Sequence, residues 1–320
     1  MASADAERDD LRQQCLAALC YFDLFSYPLT TEEVRRFRYC QHGGGWRSGD
    51  GSRVAARPVG AQEVRDALKR LPVSESRGFW FLSGRPAPVA ERERRYRLAE
   101  PKFRRARRVA FLLGLLPSVR LAAVCNSLAW THAHEDSDID LFVVVRPGTI
   151  WVTRFLVAAT LQLLGLRPDG RTQADRICLS FLVTEDYLDL ARLALEPDDP
   201  YLRYWISSLV PLYDAGGVFE AFLAANRWVV DRLPGFAAPQ AGHRRRVRSW
   251  PFVPLMPPMR RLEGLARRWQ LRHFPDSIRR TANLSSDVVV SDDILKFHVR
   301  DERRRIAREF EEKLHEVNGP

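Results

Sequence analysis

The chain has 320 residues, 46% hydrophobic and 28% charged, and its 46 Arg and 4 Lys against 40 carboxylates leave a formal net charge of +10. An apolar fraction of that size excludes disorder as the main state, and the length suits roughly two domains of about 150 residues each. No run is apolar and uncharged for long enough to cross a membrane, because the nearest, 150–166, is interrupted by Arg154; the acidic stretch 1–10 has the character of neither a secretory signal nor an Arg-rich transit peptide, and a cytoplasmic protein is expected.

In chain order, apolar residues recur at helical spacing over 9–22 and stop at Ser26-Tyr27-Pro28. Thr30 followed by Glu32 and Glu33 predicts an N-cap and a second helix to about Arg38. Residues 41–60, rich in Gly, Ser and Arg, read as a flexible insertion. A third helix is expected over 61–71 and a short β run over 78–82. Three helices followed by a β element is the order of a winged helix. A long helix over 91–116 leads to an apolar strand, 119–124, a polar loop, a second strand, 139–145, an apolar helix, 150–166, and a third strand, 177–183. From Pro200 to Trp228 the pattern is helical with a break at 214–217, residues 235–258 are Pro- and Arg-rich, and 292–317 predicts a charged helix. The five cysteines form no CxxC pair and are expected as buried thiols, not a zinc site. The fold class expected is α/β (α+β), with a winged-helix-like domain over 1–108, a core over 109–230 and a basic helical region over 231–320.

The chemistry is concentrated in residues 125–145, CNSLAWTHAHEDSDIDLFVVV. Asp138 and Asp140, one residue apart at a strand start, project from the same face and can chelate a divalent metal together. The turn after the preceding strand carries the Ser127 hydroxyl and exposed backbone N–H groups, which suit the phosphates such a metal would bridge.

This stretch resembles the nucleotidyltransferase superfamily of DNA polymerase β. The family pattern is a Gly-Ser turn, about eleven residues, then Ser-Asp-x-Asp at a strand start. Here Ser127 precedes Asp138 by eleven positions and Ser137-Asp138-Ile139-Asp140-Leu141 has the usual spelling. Segment 21–30 is similar to the winged-helix start of a bacterial group of nucleotidyltransferase-like proteins, and 205–214 and 295–298 are similar to later parts of that group. The resemblance implies a polymerase-β-type core, Mg²⁺ (or Mn²⁺) held by Asp138 and Asp140 as catalytic and metal-binding residues, and a nucleoside triphosphate, ATP first, oriented by Asn126, Ser127, Ser137 and Lys296. It also implies transfer of a nucleoside monophosphate to an acceptor hydroxyl of a small molecule or protein. The sequence departs from the pattern in three places. Asn126 and Thr131 stand where the family has glycines, and the strand 177–183 offers only Cys178 and Ser180 where a third carboxylate is expected. Asp175, Glu185 and Asp186 flank that strand as substitutes. A catalytically inactive nucleotide-sensing or DNA-binding regulator on the same fold is therefore the alternative.

His132 and His134 are expected as solvated loop residues, and Phe79-Trp80-Phe81 as a packed hydrophobic wing. Residues 1–100 carry 17 basic and 14 acidic residues, a balance of only +3, so the N-terminal unit is not strongly basic. Residues 243–280 carry 11 Arg and 2 acids, +9 of the total +10. Three readings stay open for that segment: a nucleic-acid or other anionic partner, an interfacial amphipathic helix over 259–274, or a helix lying against the acidic site of the same protein.

Overall fold

Every residue from Cys15 to Phe22 is buried, so the first helix, α1 (Ala2–Asp23), has no solvent face there and must be enclosed by other elements. A computed structural model describes residues 2–41, 46–47, 53–54, 58–84, 86–167, 173–236, 245–248, 250 and 259–318, and shows what encloses it. On one side lie α2 (Thr31–Phe37), α3 (Ala61–Leu68) and a three-stranded sheet in the order β1-β5-β4; β1 is Leu29–Thr30, β4 Val73–Ser76 and β5 Phe79–Leu82. The hairpin β2 (Trp46–Arg47) and β3 (Arg53–Val54) falls in the segment expected as an insertion, most of which lies outside the described residues. Thr30 caps α2 reciprocally with Glu33, whose backbone N–H reaches Thr30 Oγ1 at 3.3 Å while Thr30 N–H donates to Glu33 Oε2 at 2.8 Å. Trp80 and Phe81 are buried, and Trp80 Nε1 donates to Thr31 Oγ1.

After α4 (Val89–Leu113) the chain builds a six-stranded sheet in the order β10-β11-β8-β7-β6-β9. Its strands are β6 (Val119–Val124), β7 (Ile139–Val145), β8 (Ile177–Thr184), β9 (Val210–Asp214), β10 (Val288–Val290) and β11 (Ile294–Phe297). Only β7 and β8 run parallel; α6 (Ile150–Leu163) makes the crossover that a parallel pair requires. Helices cover both faces. Leu141, Val143 and Val145 pack with α4 and α6 on one face, while Phe142, Val144 and Phe181 pack on the other with α1, α7 (Pro200–Ser208), α8 (Val218–Ala225) and α11 (Arg303–Asn318). Two further helices, α9 (Met259–His273) and α10 (Asp276–Thr281), precede β10, and the four-residue α5 (Asn126–Ala129) follows β6. The architecture is mixed α/β. No helix among the described residues is long and apolar enough to cross a membrane.

Several strands differ from expectation. Residues 210–214, read as helical, form β9 at the sheet edge, where Pro211 removes no inner ladder bond. The C-terminal region, expected to be helical, contributes β10 and β11 to the central sheet, and its last helix starts only at Arg303.

Candidate metal and nucleotide site

Asp138 immediately precedes β7, along one face of which Asp140, Phe142 and Val144 alternate. The parallel partner β8 sets Cys178 opposite Asp140, and ligand atoms of Asp138, Asp140 and Cys178 all lie within 4.8 Å of one another. Among the described residues no other group of three or more His, Cys, Asp or Glu side chains is so placed. The two carboxylates are brought together as expected. The neighbouring strand adds a thiol where a third carboxylate was sought.

Asp175, Glu185 and Asp186 do not complete the cluster. Asp175 pairs with Lys102 at 2.8 Å and lies near Arg105, and Glu185 pairs with Arg120 at 2.9 Å. Lys102, buried in α4, also donates to the backbone oxygens of Ser137 (2.7 Å) and Glu135 (3.2 Å), and so fastens the loop that delivers Asp138. Ser137 turns its own hydroxyl back to the His134 carbonyl, 2.9 Å away.

Both positions where the resemblance places glycines have left-handed backbone: φ is +56° at Asn126 and +57° at Thr131. Asn adopts that conformation readily, whereas a β-branched Thr does so rarely. The Asn126 side chain ties the turn to β7 and α7. Its Nδ2 donates to Asp140 Oδ2 at 2.7 Å, and its Oδ1 accepts from Tyr201 OH (3.2 Å) and Trp205 Nε1 (3.0 Å), both on α7. The Cys125 N–H donates to the Asp140 carbonyl at 3.2 Å, which locks the turn to β7. Ser127 is half-buried, and its hydroxyl has no hydrogen-bond partner among the described residues.

Burial pushes the Asp140 carboxyl up to about 6, with the Asp138 charge adding to the rise and the Asn126 amide opposing it. Asp138 is raised as well, again chiefly by burial. Burial and the adjacent Asp140 charge push the Cys178 thiol far above its ordinary range. Cys178 is therefore a protonated thiol beside the two carboxylates. The donor set suits one ion carried by Asp138 and Asp140. Mg²⁺ seeks oxygen ligands and gains little from a thiol, so a second ion lacks its carboxylate among the described residues.

Lys296 is corrected. It shares the sheet face of Phe181 in the β8–β11 register, but its buried ammonium is spent on Asp301 (2.9 Å) and the carbonyls of Ser286 (2.7 Å) and Asp287 (3.3 Å). His132 is also corrected: it is buried, contacts Arg95 and the Phe25 carbonyl, and lies edge-on to Tyr27, while His134 is exposed as expected. The Arg-rich helix does not lie against the acidic site. It packs on α6, across the sheet from Asp140. Tyr201, Trp205 and Lys102 were missed as site residues; Lys102 had a signal, as one of four lysines in a chain that otherwise uses Arg.

Comparison with protein-family models, with curated proteins and with solved structures finds no match for this chain.

Proposed function

We propose that the chain has a polymerase-β-type nucleotidyltransferase core that binds a nucleoside triphosphate, ATP first, together with one divalent metal on Asp138 and Asp140, and that it works as a nucleotide sensor. The observation that carries this reading is the backbone at Asn126 and Thr131. Two residues with left-handed φ flank the turn that precedes Asp138 and Asp140, at the two positions where the resemblance calls for glycine. The bound metal would neutralise phosphate charge. Asp138 and Asp140 would hold it, and the free Ser127 hydroxyl and the turn's N–H groups would orient the phosphates.

Two features favour sensing over rapid transfer. The place of a third carboxylate is taken by a protonated thiol, and the Asn126 amide occupies one oxygen of Asp140. The N-terminal unit has the element order of a winged helix, yet the stretch 15–22 of its α1 is enclosed and its net charge is small, so a structural role suits it better than DNA reading. Transfer is the second reading, favoured by the two carboxylates of Asp138 and Asp140 standing together beside a half-buried Ser127. In it an acceptor hydroxyl attacks the α-phosphorus, the bond to the bridging oxygen breaks, and pyrophosphate leaves.

Labelled nucleoside triphosphates with Mg²⁺ or Mn²⁺ test both. Metal-dependent binding that disappears in Asp138→Ala/Asp140→Ala, with no label transferred in a cell extract, is expected. Label transfer above that control supports the second reading, and absence of metal-dependent nucleotide binding rejects both.

A further inference from the structure

One face of α9 is anchored. Glu263 accepts from the Trp151 and Val152 N–H groups at the start of α6, both at 2.9 Å, and the buried Gln270 donates to the Trp151 carbonyl at 2.7 Å. Glu263 is the only acid of this helix, and capping α6 consumes it. The adjacent face is different. Leu262, Leu265 and Trp269, spaced i, i+3, i+7, are 37%, 56% and 50% exposed. Beside them run Arg261, Arg268 and Arg272, exposed and without an ion pair among the described residues. At 100° per residue the two triplets form neighbouring stripes.

We propose that this face of α9 docks the protein on an anionic lipid surface, with the leucines and Trp269 in the headgroup boundary and the arginines against lipid phosphates. Charge complementarity selects the occupant: the stripe is purely cationic, and the helix lies across the sheet from the carboxylates of the candidate site. Phosphates of a nucleic acid would satisfy the arginines equally well, but would leave two leucines in water with no gain. An interface rewards both stripes together.

The full chain is tested by flotation with phosphatidylcholine vesicles with and without phosphatidylglycerol, and with single-stranded RNA as competitor. Retention on anionic vesicles at least tenfold above neutral ones, weakened by salt, is expected. Arg261→Glu/Arg268→Glu/Arg272→Glu should abolish it. Leu265→Ser/Trp269→Ser should reduce it about tenfold; because Trp269 also meets Phe155 of α6 edge-on, with 5.2 Å between ring centres, Leu265→Ser alone, at a side chain 56% exposed, should lower retention with the melting temperature kept. Equal retention on both vesicle types overturns the proposal without any variant. So does wild-type retention by the Leu265/Trp269 variant, or an RNA affinity above that for vesicles which that variant leaves unchanged.

Discussion

Asn126 answers two demands at once: it accepts a left-handed φ of +56°, and its amide ties Asp140 to Tyr201 and Trp205. Asn126→Gly would keep the backbone geometry and release Asp140 Oδ2, so metal affinity should rise several-fold by calorimetric titration. The same change leaves two buried donors on α7 without their acceptor, so stability should fall by about 1–3 kcal/mol in urea unfolding. Unchanged metal affinity would show that the clasp does not restrain the carboxylate. Asp140 gives a test with pH. Its carboxyl is raised to about 6 in the fold, against about 3.9 in an unfolded chain. The folded state thus keeps a proton that the unfolded state has lost, and ionised Asp140 costs stability above pH 6, a cost that fades as pH falls toward 4. Asp140→Asn should therefore raise the melting temperature at pH 7.5 and give no gain near pH 4. Metal binding by the native protein should weaken as pH falls through 6, since the ion competes with that proton. At this scale the aspartate pair and the Cys178 position could be read directly from strand alternation. The fate of Lys296 could not, because its partners Asp301 and Ser286 are set by tertiary packing.

Elements with a strong pattern were legible: β6 and β7 fall where apolar runs placed them, and the Thr30 cap starts α2. Those missed carry weak or misleading patterns. The edge strand β4, Val-Ser-Glu-Ser, has no apolar alternation. In β9 the run Val-Pro-Leu-Tyr-Asp continues the helical apolar pattern of α7, and only pairing with β6 makes it a strand. In β11 a buried Lys breaks an otherwise apolar run, so a charged helix seemed to begin early. The loop before β7 depends in turn on an element far back in the chain. Lys102 on α4 holds the Ser137 and Glu135 carbonyls and Asp175. Lys102→Met should cost about 2–4 kcal/mol by removing the partner of these groups. It should also weaken metal binding, because Asp138 follows the released Ser137. A variant that loses stability and keeps full metal affinity would show that β7 pairing alone positions the aspartates.

The whole molecule is joined by a polar cluster as well as by its apolar core. Arg303, at the start of α11, is buried and donates to the Leu193 carbonyl at 2.7 Å, to Asp199 at 3.0 Å, to Asp301 at 2.9 Å and to Ser286 at 2.8 Å. Asp199 caps α7, and Lys296 of β11 pairs with Asp301. One guanidinium therefore links the last helix, the helix behind the candidate site and the end of the sheet. Burial opposes ionisation of Asp301, but Lys296 and Arg303 outweigh it and hold the carboxyl at about 2. A depressed carboxyl contributes stability above its unfolded pKa, near 4, and that contribution is lost as pH falls toward 2. Arg303→Met would strand Asp199 and Asp301 in the interior with one fewer cation, and should cost about 3–5 kcal/mol at neutral pH. Its acid unfolding should begin at higher pH, because Asp301 would no longer be held so low. Arg304→Met is the internal control: that side chain is 60% exposed and among the described residues pairs only with Asp287, so its loss should stay within about 1 kcal/mol. Urea unfolding of the two variants from pH 3 to 7 separates the cases. Equal, small losses would mean that the apolar core alone unites α11, α7 and the sheet, and that the buried charges merely balance one another.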